Sequence, residues 1–114
     1  MTFTAHLLPV RRGLLCTSYA RPRADAKTLQ ECLRAAYAKT PFVQVVRPEE
    51  ATLSRVVGTN LCAVGVTCDD RRVVAVGAID NLIKGAAGQA VQNLNLAFDY
   101  EETSGLDALH RSTP

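Results

Sequence analysis

The chain has no tryptophan, a single methionine and only three tyrosines and three phenylalanines, so a core drawn from its 47 per cent apolar residues must be built of valine, leucine and alanine. It has no CxxC pair and only two histidines, which excludes the usual zinc-ligand spacings. Its four cysteines, Cys16, Cys32, Cys62 and Cys68, then read as small buried hydrophobes in a reducing compartment. The basic residues are scattered from Arg11 to Arg111 without an aromatic-interleaved cluster, and the net charge is only +2. That pattern lacks the electrostatic footprint of a nucleic-acid binder. No uncharged run approaches the roughly 20 residues of a membrane span, and residues 1–9 are too short for a signal peptide and lack its cleavage pattern. The expected location is the cytoplasm, with no nucleic acid and no membrane as partner.

One further absence is local. Between Lys84 and Asp99 there is no charged residue, although Ala87, Ala90, Val91, Leu94 and Phe98 already supply an apolar stripe at helical spacing. The other faces carry the amides Gln89, Gln92, Asn93 and Asn95. Amides on an uncharged helix fit a polar cover, whether another domain, a subunit or a ligand carboxamide; the alternative is a solvated face that happens to lack charge. Upstream of this helix a strand-like run breaks at Asp80-Asn81, and Lys84 stands directly before Gly85. A lysine at the positive end of a helix dipole is unfavourable by some tenths of a kcal/mol. Something negative is expected to offset it there, with the N–H groups from Gly85 through Gly88 pointing at the same place.

At 114 residues the chain is at most one ordinary domain. Residues 2–8 and 13–21 are β-rich and separated by Pro9 and Gly13, in a loop that displays Arg11 and Arg12. Those arginines suit either a solvated loop or an anion contact. Asp25 can cap a helix running to about Ala38, with Leu29, Cys32, Leu33, Ala36 and Tyr37 on one stripe and Thr40-Pro41 as its stop. Residues 42–47 read as a short strand and residues 48–53 as a polar connection. Residues 61–68 and 73–79 form two β-branched runs joined by a charged link, a hairpin pattern. The helix from Ala86 to Phe98 follows, and then a polar tail over residues 99–114 that is expected to fray. The order β-β-α-β-β-β-α predicts an α+β domain with a largely antiparallel sheet covered by two helices. A GxGxxG fingerprint is missing, so no Rossmann half is expected in this sequence.

Four blocks carry a family resemblance: FTAHLLPVRRGLL, PFVQVV, VVGTNLCAVGV and VVAVGAIDNLIKGAAGQAVQNLNLAFDYEETSGL. On these the chain resembles the C-terminal part of the N-acetyl-gamma-glutamyl-phosphate reductases, NADP-dependent enzymes of arginine biosynthesis. The resemblance implies residues 1–100 as a partial substrate and dimerisation domain, residues 101–114 as a tail, and a cofactor-binding N-terminal part or subunit as the missing partner. It also implies a homo-oligomeric full enzyme acting on a small molecule by reductive dephosphorylation. The nucleophilic cysteine of the family lies in an Asn-Pro-Gly-Cys type segment and its acid–base histidine in a Gly-His-Arg-His type segment. Neither segment occurs here, so no catalytic residue is assigned and the polypeptide is expected to be inactive alone.

What carries over by resemblance is a set of binding positions. Asn81 resembles the asparagine placed against the nicotinamide carboxamide, with Lys84 and Gly85 near the cofactor or the substrate phosphate. Arg11 or Arg12 could hold an oxygen of the acyl phosphate, and His6 is structural or substrate-proximal. Two other readings stay open: a non-catalytic oligomerisation module that kept the fold, and part of a lysine-pathway aminoadipyl-phosphate reductase.

Overall fold

The computed structural model describes residues 4–106. The elements are β1 (Leu14–Ala20), α1 (Ala26–Tyr37), β2 (Val43–Val45), a 3-10 turn (Pro48–Glu50), α2 (Leu53–Val56), β3 (Cys62–Cys68), β4 (Val73–Ile79), a π-helical turn (Ile83–Ala87) and α3 (Gly88–Ala97). The four strands form one open sheet in the order β1-β4-β3-β2. β4 pairs antiparallel with both β1 and β3, while β2 pairs parallel with β3. The architecture is α+β with a mostly antiparallel sheet, the class that the order of strand-like and helix-like runs predicts.

The hairpin between β3 and β4 closes because the Asp69 carboxylate accepts the N–H groups of Arg71 and Arg72, both at 2.8 Å. Helix α1 starts where Asp25 accepts the Thr28 N–H at 2.7 Å, a standard N-cap. Strand register puts Ala63, Val76 and Ala78 on one face of the sheet, and the core gathers there. Phe42, Ala51, Val56, Leu61 and Leu106 complete it, supplied by the 3-10 turn's end, α2, the strand approaches and the segment after α3. Gly65 lies on the same face because a Cβ there would meet the Pro48 backbone nitrogen at 2.7 Å. On the opposite face α1 lies against β3, with Gln30 Nε2 donating to the Val66 carbonyl at 3.4 Å.

Four expectations are corrected. Residues 4–8 form no strand, and residues 2 and 3 lie outside the described residues. The polar connection over residues 48–53 instead opens with a 3-10 turn and runs into α2, because Pro48 sits at the first position of the 3-10 turn and Glu50 reaches back to the Arg47 N–H at 3.0 Å. Cys16 and Cys32 are exposed rather than buried, since no helix covers β1 and α1 has no fully buried residue. Residues 99–106 do not fray: Leu106 is 2 % exposed in the core, and Asn95 Nδ2 donates to the carbonyls of Glu102 at 3.1 Å and Ser104 at 2.9 Å. Residues 107–114 of the expected tail lie outside the described residues.

Leu106 therefore acts as a peg that fastens the segment after α3 to the sheet. Truncating such a buried leucine removes its transfer free energy and leaves a cavity, at a cost of about 2–5 kcal/mol. Leu106→Ala is expected to lower the urea midpoint accordingly, whereas Phe98→Ala, at an exposed position, should leave it nearly unchanged; equilibrium denaturation followed by circular dichroism compares them.

Candidate functional site

The chain crosses from strand to helix at Asp80-Asn81, and that turn is where distant parts of the molecule meet. Asp80 is fully buried. Its Oδ1 accepts from the Leu82 N–H at 2.8 Å and the Ile83 N–H at 3.0 Å, which closes the turn leading into the terminal helical segment. The same oxygen accepts from Arg12 Nη2 at 3.1 Å, and Oδ2 accepts from the Gly58 N–H at 2.8 Å. Beside it, Asn81 Oδ1 accepts from the Gly13 N–H at 2.6 Å. Both loop donors are glycines in left-handed backbone, Gly13 at φ 114° and Gly58 at φ 83°, a conformation that side chains disfavour. At Gly13 a Cβ would in addition meet Leu53 Cδ2 at 2.7 Å.

Burial alone would raise the Asp80 carboxyl, but the N–H groups of Gly58, Leu82 and Ile83 and the Arg12 guanidinium hold it below the usual carboxylate range. A carboxylate whose folded-state value is depressed stabilises the fold above its unfolded value and loses that contribution as pH falls through the folded value. Arg12 Nε is buried and has no hydrogen-bond partner, so the guanidinium is anchored at one end only.

Contrary to the sequence expectation of open donors from Gly85 through Gly88, the N–H groups of Gly85, Ala87 and Gly88 are not free. The Gly85 N–H donates to the Asp80 carbonyl at 2.9 Å and the Ala87 N–H to the Leu82 carbonyl at 3.2 Å, and the Gly88 N–H goes to the Ile83 carbonyl. These are i to i−5 bonds, a π-turn of the kind frequent at functional sites. The negative group at the helix start is the chain's own Asp80, but it holds Arg12 and the turn's N–H groups and makes no ion pair with Lys84 among the described residues. In a regular α-helix Lys84 and Gln92, eight residues apart, would stand about 80° apart around the axis. The wider turn realigns them, and Lys84 Nζ donates to Gln92 Oε1 at 2.6 Å.

Lys84 is accordingly turned into the molecule. Its ammonium lies 5.6 Å from the Phe42 ring centroid, and burial pulls it below the ordinary lysine value, with Cys62 and Glu102 opposing. Burial raises the Cys62 thiol, partly offset by Lys84, which disfavours a thiolate there. Gln92 passes the network on: Oε1 also accepts from Asn60 Nδ2 at 3.3 Å, and Nε2 donates to Glu102 at 2.6 Å. Asn60 Oδ1 has no hydrogen-bond partner and packs directly against Gly88.

This network inverts the expected amphipathicity of α3. Gly88, Gln92 and Asn95 are its buried residues, and the amides find their polar cover within this chain. Gln89 and Asn93 pair with each other on the outside at 2.8 Å. The apolar stripe faces outward instead, with Leu94 51 % and Phe98 67 % exposed.

Of the binding positions suggested by resemblance, Asn81, Arg12 and the glycine after it come together at the turn. Arg11 and His6 are exposed on the approach to β1, and neither takes part in a hydrogen bond or ion pair among the described residues. Lys84 and Gly85 lie behind the turn. Asn81 is half-buried, and its Nδ2 has no partner among the described residues, so the turn keeps a donor that suits a carboxamide. Sequence reasoning missed Asp80 as the hub, although an aspartate at the break between a strand-like run and a helix is a capping candidate. It missed Asn60 and Glu102 because their partners are 32 and 10 residues away along the chain. Among the described residues no group of His, Cys, Asp or Glu could hold a metal, and no helix is long and apolar enough to cross a membrane.

Replacing Asp80 by Asn keeps the shape and removes the charge. Wild type is expected to be more stable than Asp80→Asn at pH 7 and to lose that advantage as pH falls below the unfolded carboxyl value of 3.8; urea midpoints across pH 7 to about 2.5 give the difference. Gly88→Ala is expected to destabilise the chain, although alanine is the better helix former by about 1 kcal/mol, because its methyl would displace Asn60; thermal melts report the sign.

The model of the "Semialdehyde dehydrogenase, dimerisation domain" family matches residues 1–81, which hold the sheet, α1, α2 and the Asp80-Asn81 turn. Proteins named N-acetyl-gamma-glutamyl-phosphate reductase are similar along nearly the whole chain. The one from Citrifermentans bemidjiense is 47 % identical over 96 % of this chain and 33 % of its own length. Those from Geobacillus sp. (strain WCH70) and Symbiobacterium thermophilum are 42 % and 47 % identical over 93 % of this chain and 32 % of their own lengths. The chain spans about a third of the length of these relatives. The fold, the turn and these matches lead to one conclusion: the chain belongs to the semialdehyde dehydrogenase dimerisation-domain family.

Proposed function

We propose that these residues form the C-terminal part of an NADP-dependent N-acetyl-gamma-glutamyl-phosphate reductase of arginine biosynthesis, working in the cytoplasm. The reading is carried by the 47 % identity to a reductase of that name over 96 % of the chain. In the reaction a cysteine thiolate displaces phosphate from the acyl phosphate, and the resulting thioester is reduced to the semialdehyde and released from sulfur. The nicotinamide cofactor would supply the hydride. The cysteine and the histidine that does the proton transfers belong to segments this sequence does not contain, so this chain contributes binding and positioning rather than the nucleophile.

Within that division Asn81 faces the carboxamide of the cofactor with its unpartnered Nδ2, and Arg11, with Arg12 and His6 near it, serves the acyl phosphate. Lys84 and Gly85 support the turn from behind through Gln92 and the Asp80 carbonyl. The outward stripe of Val91, Leu94 and Phe98 fits contact with the missing cofactor-binding part, because apolar side chains in a row on an otherwise finished helix have no role in this chain's own core. The edge of β1 is open for upstream strands.

The test is reconstitution. The purified chain, mixed or co-expressed with the upstream two-thirds of the Citrifermentans bemidjiense relative, is expected to oxidise NADPH on addition of the acyl phosphate, and neither piece alone should do so. Turnover by the chain by itself would overturn the reading. Leu94→Glu is expected to lower the recovered activity at least tenfold by weakening the association of the pieces by about 1.4 kcal/mol or more, with little change in the thermal midpoint of the isolated chain.

A non-catalytic oligomerisation module is the second reading, and β1 favours it: Leu14, Leu15 and Tyr19 are each about half exposed or more, within the stretch that matches a dimerisation domain. A monodisperse dimer in light scattering, together with failure of reconstitution, would select it.

A further inference from the structure

We infer that Asp80 is the positioning residue of the turn and that the two loop arginines divide their work: Arg12 is a tether held by Asp80, which leaves Arg11 as the arm free to meet an oxyanion. Residues 80 and 81 grip residues 12 and 13, each pair 68 positions apart in sequence. Arg12 Nη2 lies 3.1 Å from Asp80 Oδ1, and the Gly13 N–H lies 2.6 Å from Asn81 Oδ1. Two consecutive holds fix both the position and the direction of the loop, which a single contact could not do. Asp80 is itself immobilised, because rotation of its carboxylate would break its bonds to Gly58, Leu82 and Ile83.

Arg12 therefore has its guanidinium committed against a buried carboxylate, whereas Arg11 is exposed and unpaired among the described residues. A guanidinium's planar fork matches a phosphate or carboxylate oxygen pair, and a held backbone on its C-terminal side limits the conformations it must give up on binding. In the reductase reading on which this inference rests, the oxyanion is the phosphate of the acyl phosphate.

The experiment uses the reconstituted enzyme with Arg11→Gln, Arg12→Gln, Arg12→Lys, Asp80→Asn and the double variant Arg12→Gln/Asp80→Asn. Arg11→Gln is expected to raise KM for the acyl phosphate about tenfold, with the thermal midpoint unmoved. Arg12→Gln and Asp80→Asn should each raise it several-fold, with the double variant no worse than the larger single, because both remove one link. Arg12→Lys should recover part of the loss.

Multiplicative effects in the double variant, or an Asp80→Asn enzyme that melts earlier yet keeps wild-type KM and kcat while folded, would overturn the positioning role. An unchanged KM in Arg11→Gln would overturn the division of work. Should Asp80→Asn not fold, the contrast between Arg12→Gln and Arg12→Lys still decides: equal KM values in the two would refute the tether. Absence of any turnover by the wild-type mixture sinks the reductase reading and this inference with it, whereas turnover with unaltered variants sinks the inference alone.

Discussion

A buried carboxylate costs several kcal/mol to desolvate unless nearly every lone pair finds a donor. Asp80 meets that condition by drawing its donors from the Arg12 loop, from Gly58 in the link between α2 and β3, and from the first turn of the terminal helix. The requirement binds the fold together, because each donor belongs to a segment that the sheet alone would not place. Left-handed glycines stand at two of the contacts with this turn, Gly58 against Asp80 and Gly13 against Asn81, where the backbone must approach closely and turn away.

The π-turn that follows is a second consequence. Once Asp80 caps Leu82 and Ile83, and its carbonyl takes the Gly85 N–H, the helix enters one residue wide, and Lys84 comes into line with Gln92. From there the polar chain runs through Gln92 to Asn60 and Glu102, and Asn95 ties down the segment that carries Leu106 into the core. A lysine and three amides thus do inside the molecule what apolar packing does elsewhere. Such a network is directional, so it fixes the rotation of α3 and turns Val91, Leu94 and Phe98 outward.

The division between a rigid interior and an unfinished exterior matches a domain that is complete only in a larger protein. The core face of the sheet is closed by α2, the 3-10 turn and Leu106, whereas β1 is exposed on both faces and open at its edge. Relatives three times as long have the material to cover these surfaces. On the proposed reading function is shared between parts, and the turn at Asp80-Asn81 is this chain's proposed portion of it.

The hairpin, α1 and the α+β class were legible in the sequence because they rest on local signals: β-branched runs about a charged link, an Asp cap, and an apolar stripe at helical spacing. The family blocks were legible for the same reason, being contiguous in the chain. The residues 48–53 region misled because its helical turns are three and four residues long, too short for periodicity to register. The buried side of α3 misled more deeply. Hydrophobic patterning assumes that apolar groups go inward, and that assumption fails where amides such as Gln92 and Asn95 are hydrogen-bonded inside. Local chemistry along the chain determined which segments are strands and helices and which residue types could bind an anion or a carboxamide. Only the tertiary structure decided that Arg12 is paired, that Arg11 is free and that Lys84 points inward, because those outcomes depend on donors and acceptors brought together from positions far apart in sequence.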